Sequence, residues 1–326
     1  MAKMTLVQAV NLALREELQR DPNVVVMGQD VGVDGGVFRA TDGLIEEFGK
    51  DRIIDTPLAE SGIIGSGIGM AIFGLKPVCE IQFSGFVYQG FHQIEQHAAR
   101  FRTRTRGRLT CPMVVRMPYG GGIRALEHHS ESREAYFAHT PGLKMVIPST
   151  PKTAHGLLLS AIRDPDPVIF FEPKAIYRAF REDVEEGSME GIPLGKARVV
   201  QEGDELTLIS YGASMRAALQ AADHLEQEGR SIELIDLMTI SPLDTETITQ
   251  SVEKTGRAVV VHEAPRSFGV GAEILSRIVE DSFLSLEAPV KRVCGFDTQM
   301  PFFAREQHYL PNKERILTAA RETLAF

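Results

Sequence analysis

Short runs rich in Val, Ile and Leu recur along the whole chain, separated by stretches with the apolar spacing of amphipathic helices. In the first half they are VVVMG (24–28), PVCEIQF (77–83), PMVVRMP (112–118), LKMVIPS (143–149) and PVIFFEP (167–173). The second half contributes LTLISYG (206–212), IELIDLMTI (232–240) and AVVVHEA (258–264), with helical patterns over 215–228 and 244–254 between them. A strand apolar on both faces has to be covered on both faces, and strands joined through helices run parallel. The pattern therefore predicts an α/β protein of two doubly wound domains with mainly parallel sheets, whose ligands sit at the carboxyl ends of strands. The halves meet at REDVEEGSMEGIPLGKA (181–197), an acidic, glycine-bearing stretch with linker chemistry. The expected division is a first domain over 1–185, a linker over 186–200 and a second domain over 201–326.

Charge and cysteine usage narrow the class of function. A net charge of −9 argues against nucleic acid as a partner, which would need clustered, unopposed cations. The alternating Arg100, Arg102, Arg104, Arg106 and Arg108 form one local exception. Only Phe101 interleaves with them, so a solvated or subunit-facing charged segment is expected rather than a strand-binding stripe. The three cysteines, Cys79, Cys111 and Cys294, lack CxxC pairing and support neither a disulfide framework nor a zinc site. A reducing compartment, the cytoplasm or an organelle matrix, is expected. MAKMTLVQAVNLALREELQR reads as an amphipathic helix and not as a targeting segment. The longest apolar run, Ile63 to Leu75, is too short for a bilayer and carries Gly65, Gly67, Gly69 and Gly74, so no membrane span is expected.

One acid stands out against this background. In DTPLAESGIIGSGIG (55–69), Glu60 heads an otherwise apolar, glycine-punctuated helical run. A carboxylate that water cannot reach takes up a proton or finds a fixed partner, which makes Glu60 the first candidate for chemistry. An ordinary helix-start acid, with Pro57 near the first turn, explains the same residues.

Several ordered segments carry a resemblance that bears on this choice. DTPLAESGIIG, EIQFSGFVYQGFHQI (80–94), ALEHHSESREAYFAHTPGLKMVIPSTP (125–151), RDPDPVIFFEPKAIYRAFREDV (163–184), SPLDTETITQSVEKTGRAVVVHEA (241–264) and RVCGFDTQMPFF (292–303) span nearly the whole chain. Together they resemble the β subunit of the thiamine diphosphate-dependent, decarboxylating component of 2-oxo acid dehydrogenase complexes, of pyruvate or branched-chain type. The resemblance implies a transketolase-like pyrimidine-binding domain followed by a transketolase-type carboxyl-terminal domain. It implies oxidative decarboxylation of a small 2-oxo acid and reductive acylation of a lipoyl domain. FFEPKAIYR and RVCGFDT lean to the branched-chain enzymes, GIRALEHHSE and SPLDTETITQSVEKTGRA to pyruvate, which is slightly favoured.

The site residues follow from the same resemblance. Glu60 matches the carboxyl that hydrogen-bonds the cofactor's aminopyrimidine ring and makes its amino group basic enough to take the thiazolium proton. Phe86 takes the ring-stacking position, with Phe83 and Tyr88 as packing residues of the strand end, and the backbone of Leu58 meets the pyrimidine edge. His129, directly before Ser130, matches the histidine that manages protons near the reactive carbon; His128 is an extra neighbour. His92, His97, His139 and His155 are left as packing or surface residues. A structural potassium ion is implied at the loop 163–167, with Asp164 giving its side chain and Ala161 and Asp166 their backbone oxygens, near carbonyls of Cys111 to Val114. Plain turn chemistry explains Asp-Pro-Asp-Pro equally well.

The superfamily's GDG signature, which precedes the Mg²⁺-bound diphosphate site, is absent from the sequence. The resemblance thus implies an α subunit that supplies Mg²⁺ and diphosphate binding in an α₂β₂ heterotetramer, with the second domain pairing β with β and docking a lipoyl acyltransferase core. Gln29 stands where relatives commonly carry an acid proposed to couple distant active sites, and an amide cannot relay a proton as a carboxyl does. Two other readings are a split transketolase-like transferase or sugar-phosphate synthase subunit, and a non-catalytic assembly module.

Overall fold

The computed structural model describes residues 1–326, and its chain divides into two compact units, Met1–Tyr119 with Tyr136–Leu194, and Gly120–Ala135 with Gly195–Phe326. The break at 194/195 falls inside the stretch expected to be linker. The separation of Gly120–Ala135 from its flanks is a feature that the linear division of the chain did not contain.

The elements of the first half are, in order, β1 (Ala2–Met4), α1 (Leu6–Arg20), β2 (Val24–Gly28), α2 (Leu44–Phe48), β3 (Ile53–Asp55), α3 (Glu60–Ile72), β4 (Lys76–Glu80), α4 (Tyr88–Gln93), α5 (Phe101–Arg104), β5 (Val114–Tyr119), α6 (Glu134–Ala138), β6 (Lys144–Val146), α7 (Pro151–Arg163), β7 (Val168–Pro173) and β8 (Glu182–Val184). Six strands form a parallel sheet in the order β6-β7-β5-β4-β2-β3, and β1 pairs with β8 antiparallel. Val24, Val26, Val78, Met117, Ile169, Phe170 and Phe171 are inaccessible or nearly so, as strands covered on both faces require. The opening helix starts later than its apolar pattern suggests, because Gln8 Oε1 accepts the Thr5 amide at 3.0 Å and fixes the first turn there. On α3, a Cβ added to Gly67 would lie 2.5 Å from Cys79 Sγ, so glycine is what allows this helix to press onto β4.

The remaining elements are β9 (Arg198–Gln201), β10 (Leu206–Ser210), α8 (Ser214–Gln227), β11 (Ile232–Asp236), β12 (Thr239–Ser241), α9 (Thr245–Thr255), β13 (Ala258–Pro265), α10 (Val270–Ser282), β14 (Lys291–Gly295), α11 (Glu306–Tyr309) and α12 (Lys313–Leu324). The sheet order is β14-β13-β10-β11-β9, parallel except for the β9 edge. A core of Leu206, Leu208, Leu234, Val259 and Val261 packs against Ala218, Ala222 and Leu225 of α8 and Ile316, Leu317 and Ala320 of α12. The run 232–240 is not one strand. Met238 adopts φ 53°, a left-handed turn that ends β11 and separates it from β12. No helix is long and apolar enough to cross a membrane.

Candidate functional site

Glu60 is the first residue of α3 and 9% exposed, and its carboxylate has no hydrogen-bond or ion-pair partner within the chain. Its place in the first turn puts it beside amides that lack helical acceptors. The helix head is closed by α4: a Cβ on Gly90 would come within 3.1 Å of both the Glu60 carbonyl oxygen and Ile64 Cγ1. Gln93 Nε2 also reaches Ser61 Oγ at 3.5 Å. Leu58, two residues upstream, is 66% exposed.

Phe86 belongs to the segment that ends in this contact, yet not to a strand. β4 stops at Glu80, and Phe86 closes a 3-10 turn over Ser84–Phe86 in which its amide bonds the Phe83 carbonyl at 2.9 Å. Ser84-Gly85 breaks the apolar run, so the expected strand-end placement of Phe83, Phe86 and Tyr88 is corrected; Tyr88 opens α4. Phe86 meets Phe83 edge to face at 5.4 Å, Phe83 meets Phe38 at 5.4 Å, and Phe38 meets Tyr177 at 5.1 Å. This chain of rings was missed in the sequence because it joins segments far apart.

Tyr177 leads to a buried charge cluster, likewise missed. Its hydroxyl donates to Glu172, whose carboxylate takes a two-pronged bond from Arg116, Nε–Oε1 2.6 Å and Nη2–Oε2 2.8 Å, while Arg116 Nη1 binds Glu80. All three charged residues are at most 3% exposed, and burial pushes the Glu80 carboxyl up against the opposing pull of Arg116. One charge inside each of EIQF, VVRMP and IFFEP was the available signal.

His129 lies in the unit that contains Gly120–Ala135, on a 3-10 turn over Glu127–His129. Its amide bonds the Leu126 carbonyl at 3.0 Å, its ring lies 4.2 Å from that of His128, and His128 Nδ1 stands 3.5 Å from Glu127. Three buried acids of this unit escaped the sequence reading. Glu263 accepts from the Gly121 amide (3.1 Å) and Ser132 Oγ (2.6 Å), Glu306 from the amides of Gly122 (2.8 Å) and Arg124 (3.2 Å), and Glu134 from Tyr211 Oη (2.8 Å). Burial pushes the Glu134 carboxyl up to about 7, with Glu263 adding repulsion. Nearby on β13, burial holds His262 down at about 4; its Nε2 accepts the Gly271 amide at 3.2 Å and faces Cys294 Sγ at 3.3 Å.

The residues expected at the potassium ion, neighbours in sequence, lie at the end of α7 and in the turn after it. Asp164 caps the helix, its amide turning back to the Ala161 carbonyl at 3.4 Å, and its Oδ1 accepts the Asp166 amide at 2.9 Å. Asp164 Oδ2 pairs with Lys144 Nζ at 2.5 Å and Asp166 Oδ1 with Arg102 Nε at 2.7 Å, so protein cations already face both carboxylates. Arg102 thereby leaves the alternating arginine segment partly matched, as does Arg100 with Glu95. Among the other histidines, His155 is buried and bonds Glu16 at 2.7 Å, and His97 meets Arg104 at 3.4 Å. Gln29 is half-buried, while Asp30 and Asp34 are exposed.

Comparison with known proteins matches residues 2–179 to the transketolase pyrimidine binding domain and 195–316 to the transketolase C-terminal domain. Proteins described as pyruvate dehydrogenase E1 component subunit beta are 52% identical over 326 residues in Staphylococcus epidermidis and in Bacillus subtilis, each pair covering 100% of both chains. That of Acholeplasma laidlawii is 50% identical over 99% of this chain and 98% of its own. A solved split-gene transketolase, described as an inactive β4 tetramer, superposes with a TM-score of 0.81 over 99% of both chains at 20% identity, a likeness of fold alone. The chain belongs to the family of pyruvate dehydrogenase E1 component β subunits, built from a transketolase-type pyrimidine-binding domain and a transketolase-type C-terminal domain.

Proposed function

We propose that this chain, with an α subunit in an α₂β₂ assembly, carries out the thiamine diphosphate-dependent oxidative decarboxylation of pyruvate and passes the acyl group to a lipoyl domain. The observation that carries the reading is the unpaired, buried carboxylate of Glu60 at the head of α3, in a chain half identical from end to end to pyruvate dehydrogenase β subunits. Identity at that level across the whole length favours pyruvate over branched-chain 2-oxo acids. The fold likeness to a split-gene transketolase supplies no observation in favour of a transferase.

The residues fit the cofactor's pyrimidine half. An acid shielded from water and lacking an internal partner is suited to hydrogen-bond a ring nitrogen supplied from outside the chain. Thiamine diphosphate, when bound, supplies the carbanion chemistry that decarboxylates a 2-oxo acid. Glu60 offers its carboxyl as the hydrogen-bonding partner of the ring, Phe86 offers a flat apolar face held by Phe83, and Leu58 offers backbone groups on an exposed stretch. His129 handles a proton near the reacting carbon. The Mg²⁺ and diphosphate belong to the α subunit, and an acyltransferase core is the partner of the C-terminal domain. Free, buried thiols at Cys79, Cys111 and Cys294 suit a reducing compartment, and we assign the cytoplasm.

Co-expression with an α subunit followed by dye-reduction assays tests the reading. Pyruvate is expected to outperform 2-oxoisovalerate, and Glu60→Gln is expected to lower turnover by at least a hundredfold while the heterotetramer elutes unchanged. Full activity in Glu60→Gln would falsify the assignment.

A further inference from the structure

The segment 120–135 has little structure of its own. It opens with Gly120-Gly121-Gly122, of which Gly120 (φ 80°) and Gly122 (φ 93°) are left-handed, and its only helical stretch before Glu134 is the 3-10 turn at Glu127–His129. The Gly120 amide closes the segment on itself at the Glu131 carbonyl (3.0 Å), but such a chain loses much conformational entropy when it is held in one shape, so contacts from outside it must supply most of the hold. Two buried carboxylates make such contacts. Glu263, 4% exposed, takes the Gly121 amide at 3.1 Å and Ser132 Oγ at 2.6 Å on one oxygen, tying both ends of the segment to β13. Glu306, 1% exposed, takes the Gly122 amide at 2.8 Å and the Arg124 amide at 3.2 and 3.1 Å, tying the stretch leading to the 3-10 turn of His129 to α11.

The glycines exist for this approach. A Cβ on Gly120 would sit 2.1 Å from Glu263 Oε1, and one on Gly121 would sit 2.7 Å from Met300 Cε. Glu134 Oε1, accepting from Tyr211 Oη at 2.8 Å, fixes the far end. Bonds from amides to an ionised carboxylate are about twice as strong as neutral ones, and removing a buried carboxylate strands every donor it served. Burying acids to hold a loop is an expensive way to gain stability alone, since well-packed apolar contacts would serve as well. It is an effective way to specify one conformation.

We propose that Glu263 and Glu306 are positioning residues for His129, clamping its loop through backbone amides so that the imidazole is presented in one place. The proposal rests on the functional reading of His129 given above. Neither acid touches the reacting atoms; each acts through the segment between Gly120 and Ser132.

The test uses the α₂β₂ enzyme with Glu306→Ala, Glu306→Gln, Ser132→Ala and His129→Ala. Amide hydrogen exchange over 120–126 is read beside steady-state kinetics. Glu306→Ala is expected to speed exchange at Gly122 and Arg124 and to lower kcat about tenfold or more, because a displacement of ~1 Å in a reacting group carries penalties of that order. Glu306→Gln, which keeps an acceptor oxygen, is expected to restore most of both. In the His129→Ala background, Glu306→Ala is expected to add less than about a twofold further loss, since the loop then has no imidazole to place. If Glu306→Ala does not assemble, Ser132→Ala removes one bond to Glu263 and is expected to raise exchange at Gly121 and lower kcat about threefold, again only when His129 is present. Unchanged exchange, or a kcat loss that multiplies fully with that of His129→Ala, overturns the proposal. A wild-type enzyme inactive on every 2-oxo acid overturns the functional reading instead, and exchange still reports whether the clamp exists.

Discussion

Glu134 offers a stability test whose sign and size follow from one side chain. It is fully buried, its Oε1 accepts from Tyr211, and its Oε2 has no hydrogen-bond partner. Burial raises its carboxyl from 4.5 to about 7, with repulsion from Glu263 in the same direction and Tyr211 and Arg133 opposing. The folded protein therefore binds this proton more tightly than the unfolded chain. The resulting stability is fully present below about pH 4.5 and is lost as pH rises through about 7. An interval of about 2.5 pH units at about 1.4 kcal/mol each gives a loss of about 3 kcal/mol. Glu134→Gln keeps an acceptor for Tyr211 and cannot ionise, so it lacks this loss. Urea denaturation of wild type and variant from pH 4.5 to 8, analysed as the difference at each pH, cancels the other carboxylates. The variant is expected to gain on wild type from about pH 4.5 to about 7, by about 3 kcal/mol in total, and then to level off. A difference that is flat within about 1 kcal/mol, or that slopes the other way, refutes the reasoning that burial keeps this acid protonated.

His262 is expected to act in the opposite direction. Burial lowers it from 6.5 to about 4, so its stabilisation is present above pH 6.5 and lost as pH falls to about 4; His262→Gln should lessen acid-side destabilisation in the same urea series. Arg116→Leu should destabilise the first domain by about 3–5 kcal/mol, because Glu80 and Glu172 are left buried without their cation. A calorimetric melt within a few degrees of wild type would contradict that. For the potassium site, potassium but not sodium should raise the melting temperature by a few degrees and Asp164→Ala should abolish the effect; equal response to both salts leaves Asp164 as a helix cap bonded to Lys144.

What could be read from residue order was whatever repeats over a few residues. Val24–Gly28 coincides with its expected strand, and Val168–Pro173 and Thr245–Thr255 fall within a residue of their expected limits, because burial on both faces or on one helical face leaves a period in the chain. Glu60 was legible for a related reason, as the lone acid at the head of an apolar run. Where local chemistry interrupts a run, the reading erred: Ser84-Gly85 took the aromatics off β4, and Met238 split 232–240 in two.

The assembly of the site was decided only in three dimensions. The Arg116–Glu172 pair spans 56 residues, Gly121–Glu263 spans 142 and Gly122–Glu306 spans 184. No periodicity connects positions so far apart; each charged partner alone reads as an ordinary charge in or beside a strand or helix, and each glycine as an ordinary turn residue. Short-range spacing thus determined the strands, the helices and the acid at the head of α3. Long-range bonds from the amides of the His129 loop to the buried carboxylates of Glu263 and Glu306 tie that loop to β13 and α11, because a desolvated carboxylate accepts only the donors that folding brings to it.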